Sequence, residues 1–255
     1  MVRSAESLTA SDNPFSAHRI RPGSIPYLFS AEDDATDVSR LDQLIDSWRA
    51  GHYFGQIVGP HGCGKTTLAY AIARRAVEDS RIPFNNATSL TIRSKPLGRS
   101  DSSLSWLTGL LGLRSASVGF GKSLVLEGLL DRQNEIPSTT HARLASGTIL
   151  VIDGIERLTL MQQALTFHSL RRRQIPTLFT THRVSKSLTV VRGKCPVLFR
   201  ASPDVNVFAK IVNLMTQPEH GLAPAAVEDA FDSCGGNVRE ALMKLYDSFD
   251  SREVC

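Results

Sequence analysis

Residues Gly59 to Thr66 read G-P-H-G-C-G-K-T and satisfy the pattern G-x-x-x-x-G-K-[ST] at every fixed position. Each part of that pattern has a physical task. Backbone N–H groups uncrowded at Gly59, Gly62 and Gly64 can wrap a phosphate chain and point at its oxygens. Lys65 supplies a point charge for the β- and γ-phosphates, and the Thr66 hydroxyl is a hard oxygen ligand suited to Mg2+. A helix opening at this point turns the positive end of its dipole toward the same anion. The candidate nucleotide-binding segment is therefore Gly59, Pro60, His61, Gly62, Cys63, Gly64, Lys65, Thr66 and Thr67. It implies a nucleoside triphosphate such as ATP.

A second group of polar residues lies downstream. Thr148-Ile-Leu-Val-Ile152 is a β-branched apolar run that ends on Asp153. A carboxylate at the carboxyl end of a buried parallel strand sits where ligands bind, and it can hold Mg2+ through water. Asp-Gly is also good turn chemistry, which is the competing reading of Asp153. Glu156 can polarise the water that attacks a γ-phosphate, or serve as a first-turn Glu favourable to a helix dipole. At the end of the next apolar run stand Thr180, Thr181, His182 and Arg183. A polar side chain such as Thr181 there can register a γ-phosphate, against a simpler reading as a solvated strand end. Gly235-Gly-Asn-Val-Arg239 opens the last helix, and Arg239 is not placed to favour that helix's dipole. A guanidinium at a helix N-terminus suits phosphate sensing. Candidate catalytic residues are thus Lys65, Asp153, Glu156, Thr181 and Arg239, with Thr66 and Asp153 as metal ligands.

These side chains need strands that end together and helices that open on the same edge. Leu41, Leu44, Ile45 and Trp48 recur at helical spacing; Phe54, Ile57 and Val58 form a strand; Thr67–Ala76 continues as helix. Ser89–Arg93 is a second strand, and Leu124–Gln133 and Thr140–Ala145 read as helices. Thr148–Ile152 is the strand buried on both faces, followed by a helix over Thr159–Arg173 and strands at Pro176–Thr181 and Pro196–Phe199. From about Pro203 the pattern is purely helical, with Pro224–Phe231 and Val238–Phe249 the last two segments. Strands alternating with helices predict an α/β fold with a parallel sheet, closed by a small C-terminal α-helical lid. The boundaries are 1–37 for an extended, Pro-punctuated arm, 38–203 for the α/β domain and 204–255 for the lid.

Composition narrows the class. With 255 residues, 42% hydrophobic and 21% charged, the chain can bury a sizeable core. No apolar run approaches the roughly 20 residues that span a bilayer. Residues 1–10 lack the apolar stretch of a secretory signal. Cys63, Cys195, Cys234 and Cys255 show no C-x-x-C spacing and read as reduced thiols in a cytoplasmic protein. A net charge of +4 permits nucleic-acid contact without demanding it.

In their order, these residues resemble the AAA+ ATPases and the related signal-transducing ATPases with numerous domains, within the ASCE division of P-loop NTPases. Gly59–Thr66 matches the Walker A loop, Ile149–Asp153 the Walker B run, Thr180/Thr181 the first sensor and Gly235–Arg239 the second. The resemblance implies a three-layer α/β/α core of five strands with the two Walker strands adjacent, a helical lid, and ATP with Mg2+ between them. It departs in two places. Gly154 stands where AAA+ proteins usually carry Glu, so Asp153-Gly-Ile-Glu156 is closer to the D-G-x-[DE] of the signalling relatives, whose hydrolysis is slow and whose nucleotide state acts as a switch. No single arginine finger emerges from Arg171, Arg172, Arg173, Arg183 and Arg200. Gly121-Lys122-Ser123 imitates a second phosphate loop, but Ala116 replaces its first glycine.

The expected function is an ATP-dependent switch or weak ATPase acting on another protein or on copies of itself. A nucleotide-kinase-type phosphotransferase shares the same loop, with 94–146 as its acceptor lid. A nucleic-acid-associated loader would use the basic stretch His18-Arg-Ile-Arg21.

Overall fold

The β-branched and aromatic runs seen in the sequence pair into one sheet, and the Gly and Pro clusters between them mark where helices begin. In a computed structural model, residues 13–16, 19–20, 23–30, 36–79, 82–84, 86–94, 122–131, 147–185, 195–216 and 222–250 are described. Helix α1 (Asp37–Ala50) precedes strand β1 (Phe54–Val58), and helix α2 (Lys65–Glu78) follows the phosphate-loop sequence. Then come β2 (Asn86–Ser94), β3 (Lys122–Asp131), β4 (Thr148–Asp153), a 3-10 turn (Ile155–Arg157), α3 (Leu160–Arg172), β5 (Thr177–Thr181) and β6 (Val197–Arg200). Helices α4 (Val205–Met215), α5 (Pro224–Ser233) and α6 (Val238–Asp250) complete the order.

The sheet order is β3-β2-β4-β5-β1-β6, with β2, β4, β5, β1 and β6 parallel and β3 antiparallel to β2. This is the expected α/β architecture with helices flanking a five-stranded parallel sheet. Two expectations fail. The strands carrying the phosphate loop and Asp153 are not neighbours, because β5 lies between β1 and β4 and pairs with both. Residue patterning carries no information on which strand inserts between which. The segment read as helix from Leu124 is strand β3, paired with β2 from Asn86↔Asp131 to Ser94↔Lys122. A short Leu/Val run does not separate strand from buried helix by periodicity, and the overlooked signal was Gly128. That glycine sits where the register shifts, as expected for a residue at a bulge. Lys122 and Ser123 thus begin a strand, so G-K-S is not a second phosphate loop. Residues 140–145, read as helix, lie outside the described residues, as does the kinase-type acceptor lid apart from Ser94 and β3.

Two compact units emerge. One holds 38–59 and the described residues from 68 to 200; the other gathers the described residues up to 37, Pro60–Thr67 and those from 201 onward. In the first, every residue of β1 and β5 is buried, and Leu68, Ile72 and Ala76 of α2 are fully enclosed. Trp48 of α1 is also fully enclosed; its indole N–H donates to the Thr177 carbonyl at 3.3 Å, and its ring packs edge-on to Tyr53.

In the second unit, α4, α5 and α6 pack around Phe208, Val212, Phe231, Leu242 and Leu245, and Phe15 enters the same core at 1% exposure. Phe15 meets Phe249 edge-to-face at 6.3 Å, while Asn13 accepts from the Phe15 N–H and donates to the Tyr246 carbonyl. Asp204 caps α4 by accepting from the Asn206 and Val207 N–H groups, and it also accepts from the Ser30 hydroxyl. The Ser30 bond leads the interactions that hold the Asp204 carboxyl below its ordinary range. Its stabilisation is present at neutral pH and is lost as pH falls through the depressed folded-state value. Phe15→Ala is expected to destabilise this helical unit by about 3–5 kcal/mol, the range for emptying a buried aromatic site. Amide hydrogen exchange in α4–α6 measures the loss; unchanged protection would relegate the N-terminal segment to the periphery.

Candidate functional site

The phosphate-loop sequence falls into two parts. The Gly59 N–H donates to the Thr181 carbonyl at 3.1 Å, and Pro60 has no N–H, so neither contributes an amide to an anion nest. This corrects the expectation that Gly59 frees an amide for phosphate: β5 has claimed it. The remaining stretch, Pro60–Thr67, lies in the compact unit that contains α6.

Lys65, the first residue of α2, is 7% exposed. Its ammonium donates to the Pro60 carbonyl of its own loop and stands 4.0 Å from the Cys63 sulfur. The Cys63 thiol donates to the same carbonyl at 3.1 Å. Burial pushes the Cys63 thiol up and the Lys65 charge only partly opposes it, which disfavours the thiolate. Burial, reinforced by Cys63, pushes the Tyr27 hydroxyl up as well.

Gly62 and Gly64 have φ of 72° and 82°, in the left-handed region. A Cβ on Gly62 would lie 1.8 Å from the Asn237 side-chain oxygen, and one on Gly64 would lie 3.1 Å from the Tyr27 ring. Both glycines are thus required for conformation and for close approach. Asn237 caps α6, its side-chain oxygen accepting from the Glu240 N–H at 3.3 Å. The residue that opens the last helix therefore sits directly against the loop. Arg239 is two residues further on and exposed.

In the other unit, parallel pairing sets Asp153 opposite Thr180, whose hydroxyl donates to the Asp153 carboxylate. Gly154, at φ 82°, turns the chain into the 3-10 turn that carries Glu156. Glu156 therefore does not belong to α3, which has its own capping box from Thr159 and Gln162. Glu156 Oε1 meets His182 Nε2 at 3.1 Å. The second carboxylate oxygen of Glu156 and the Thr181 hydroxyl are buried and have no hydrogen-bond partner among the described residues. Buried polar atoms are nearly always satisfied, so such orphans ask for an explanation such as a bound water or ligand.

Sequence reasoning named Thr180 and His182 without their contacts and did not name Tyr27. It named Thr180 and Thr181 together at the strand end and took Thr181 for the γ-phosphate, but did not read the contact of Thr180 with the Asp153 carboxylate. It gave His182 no partner, although Thr-Thr-His-Arg at a strand end was the available signal. Tyr27 carries no signal in the sequence beyond being an aromatic in a polar segment. For ATP and Mg2+ the donor chemistry fits: the Thr66 hydroxyl and the Asp153 carboxylate are hard oxygens, and the two positive-φ glycines shape a cradle that a Cβ would fill.

Comparison with known proteins places these features. Residues 56–198 match the model of the ATPase family associated with various cellular activities (AAA). The chain belongs to this family, and it is an AAA+ P-loop ATPase with a three-layer α/β/α core. The structure titled "Structure of Drosophila ORC bound to DNA" is similar, with a TM-score of 0.43 and 14% identity, covering 90% of this chain and 66% of that chain. The match thus spans 66% of the length of that chain. Among curated proteins, none matches the sequence. Membership carries ATP binding and, typically, Mg2+.

Gly62→Ala tests the cradle. The new methyl group has no room beside Asn237, and a left-handed φ adds strain of about 1–3 kcal/mol. Affinity for a fluorescent ATP analogue is expected to fall at least roughly tenfold, the equivalent of 1.4 kcal/mol. Hydrogen exchange at 237–241 should rise in parallel. Wild-type affinity with an undisturbed α6 would refute the close contact.

Proposed function

We propose that this chain is a nucleotide-dependent switch with slow ATP hydrolysis to ADP and phosphate. The observation that carries this reading is Asn237 seated on Gly62. The phosphate loop and the N-terminus of α6 share one compact unit, so a change of charge on the loop is felt where α6 begins.

In this reading Lys65 leaves the Pro60 carbonyl for the β- and γ-phosphates, and the loop amides beyond Pro60 wrap their oxygens. Thr66 and Asp153 hold Mg2+, which when bound neutralises charge on the phosphate oxygens. Glu156 holds the attacking water through its second carboxylate oxygen, while His182 occupies the first. Thr181 offers its hydroxyl to the γ-phosphate side, and Arg239 supplies the guanidinium that distinguishes ATP from ADP. Slow turnover follows from placing the carboxylate on a 3-10 turn beyond Gly154, where it is already engaged by an imidazole. We assign the output to contact with another protein or a second copy. Leu160 and Met161, 69% and 73% exposed at the start of α3, are apolar surface available for it.

Three variants separate the roles. Lys65→Ala removes a charge-assisted phosphate contact worth roughly 1.5–3 kcal/mol, an affinity loss of about tenfold to a hundredfold. Equal affinity for a fluorescent ATP analogue in both proteins would remove the site assignment. Glu156→Gln keeps the shape without the base, so binding should survive while hydrolysis falls by roughly 10²-fold or more. Unchanged hydrolysis would strip Glu156 of its role. Arg239→Ala should erase the difference in hydrogen exchange over 205–250 between ADP and a non-hydrolysable ATP analogue, because differential contact is the only source of a switch. Identical protection in the wild-type protein would defeat the switch reading.

A further inference from the structure

Gln163, on α3, is 4% exposed, and its amide is spent on two backbone segments that carry other residues. Its N–H2 donates to the Leu158 carbonyl at 2.9 Å, and its carbonyl oxygen accepts from the Ser185 hydroxyl at 2.7 Å. Leu158 closes the 3-10 turn on which Glu156 sits. Ser185 lies three residues past His182, on the segment leaving β5. One buried amide therefore ties together the two stretches of chain that present Glu156 and His182 to each other. The tie is anchored behind. The Ser185 N–H donates to the side-chain oxygen of Gln56, a β1 residue with no exposed surface, and the Gln56 amide donates to the Cys195 carbonyl.

A core built only for stability has no need of this. Replacing both partners of a buried hydrogen bond by apolar groups of the same shape is often neutral, whereas a fully satisfied polar network specifies one arrangement of the chain. Here the specified arrangement is a contact of 3.1 Å between Glu156 and His182. We propose that Gln163, with Ser185, is a positioning residue for hydrolysis: it clamps the Glu156 turn to the His182 segment and so aims the carboxylate. The inference rests on the reading of Glu156 as the water-polarising group.

Gln163→Met preserves side-chain length but neither donates nor accepts an N–H or O–H bond; Ser185→Ala removes the other half with a smaller perturbation. Both go into the full chain beside Glu156→Gln. Three quantities are read: affinity for a fluorescent ATP analogue, turnover at saturating ATP, and the His182 imidazole resonance, assigned with His182→Gln. The expected result is affinity within about twofold of wild type, as befits residues outside the phosphate loop, and turnover lower by roughly tenfold to a hundredfold, the scale of an ångström-sized misplacement. The His182 resonance should move in the direction that Glu156→Gln moves it, which a purely stabilising role would not produce. Should Gln163→Met fail to fold, Ser185→Ala carries the same three readouts. Wild-type turnover with an unmoved His182 resonance, beside an impaired Glu156→Gln, overturns the clamp alone. Wild-type turnover in Glu156→Gln overturns the reading of Glu156, and the clamp with it.

Discussion

The pairing of β5 between β1 and β4 is the constraint from which the α/β unit takes its chemistry. Parallel hydrogen bonding fixes Val58 opposite Thr181 and Asp153 opposite Thr180. The same register brings the Gly59 N–H to the Thr181 carbonyl and the Thr180 hydroxyl to the Asp153 carboxylate. A slip of one residue would reverse the facing of every side chain on β5 and break both contacts. Such a slip is resisted because all five residues of β5 are buried, and because Trp48 and the Tyr53 carbonyl bind the strand's first residue.

That constraint explains which part of the molecule was legible in the sequence. The phosphate loop and the Thr148–Asp153 run are local patterns whose chemistry depends on residues next to one another, so both were readable. Strand order is not local. The insertion of β5 rests on edges offered by β4 just before it and by β1 more than a hundred residues earlier, and no periodicity records it. Asp153 and Thr180 were both named, but their contact depends on the β4–β5 register and was not readable. The misread of β3 has a different cause: within a ten-residue Leu/Val segment, tertiary pairing with β2 overrides a weak local preference. Tyr27 and Phe15 were invisible because single aromatics in a Pro-rich segment carry no pattern until the helices they meet are known.

The helical unit depends on a second, smaller set of contacts. Its core holds Phe15 and the α4–α6 side chains, and its polar joints are Asn13 on α6, Ser30 on the α4 cap and Asn237 on Gly62. The Asn237 joint satisfies a backbone N–H at the start of α6, one of the groups left over by helix geometry, while Ser30 donates to the carboxylate of the α4 cap and Asn13 to the Tyr246 carbonyl. The Asn237 joint differs in that it uses its side-chain oxygen for the α6 cap while lying where no side chain on residue 62 could fit. The glycine demanded by the loop's left-handed backbone is therefore demanded a second time by helix capping.

Buried polar atoms in the α/β unit divide into two kinds, and the division is informative. Gln56, Gln163 and Ser185 form a chain of bonds in which each named donor meets an acceptor. Glu156 Oε2 and the Thr181 hydroxyl do not, although the backbone segments that bear them are held by that chain and by the β5 pairing. A fold that satisfies these amides could also dispense with an orphaned hydroxyl by apolar replacement, since Val is nearly isosteric with Thr. Keeping a hydroxyl and a carboxylate oxygen buried without partners costs about 1–3 kcal/mol for each neutral group and more for a charge. That cost is intelligible if the missing partners arrive with ATP and its attacking water. The satisfied network is then the frame, and the unsatisfied atoms are the part of the protein left for chemistry.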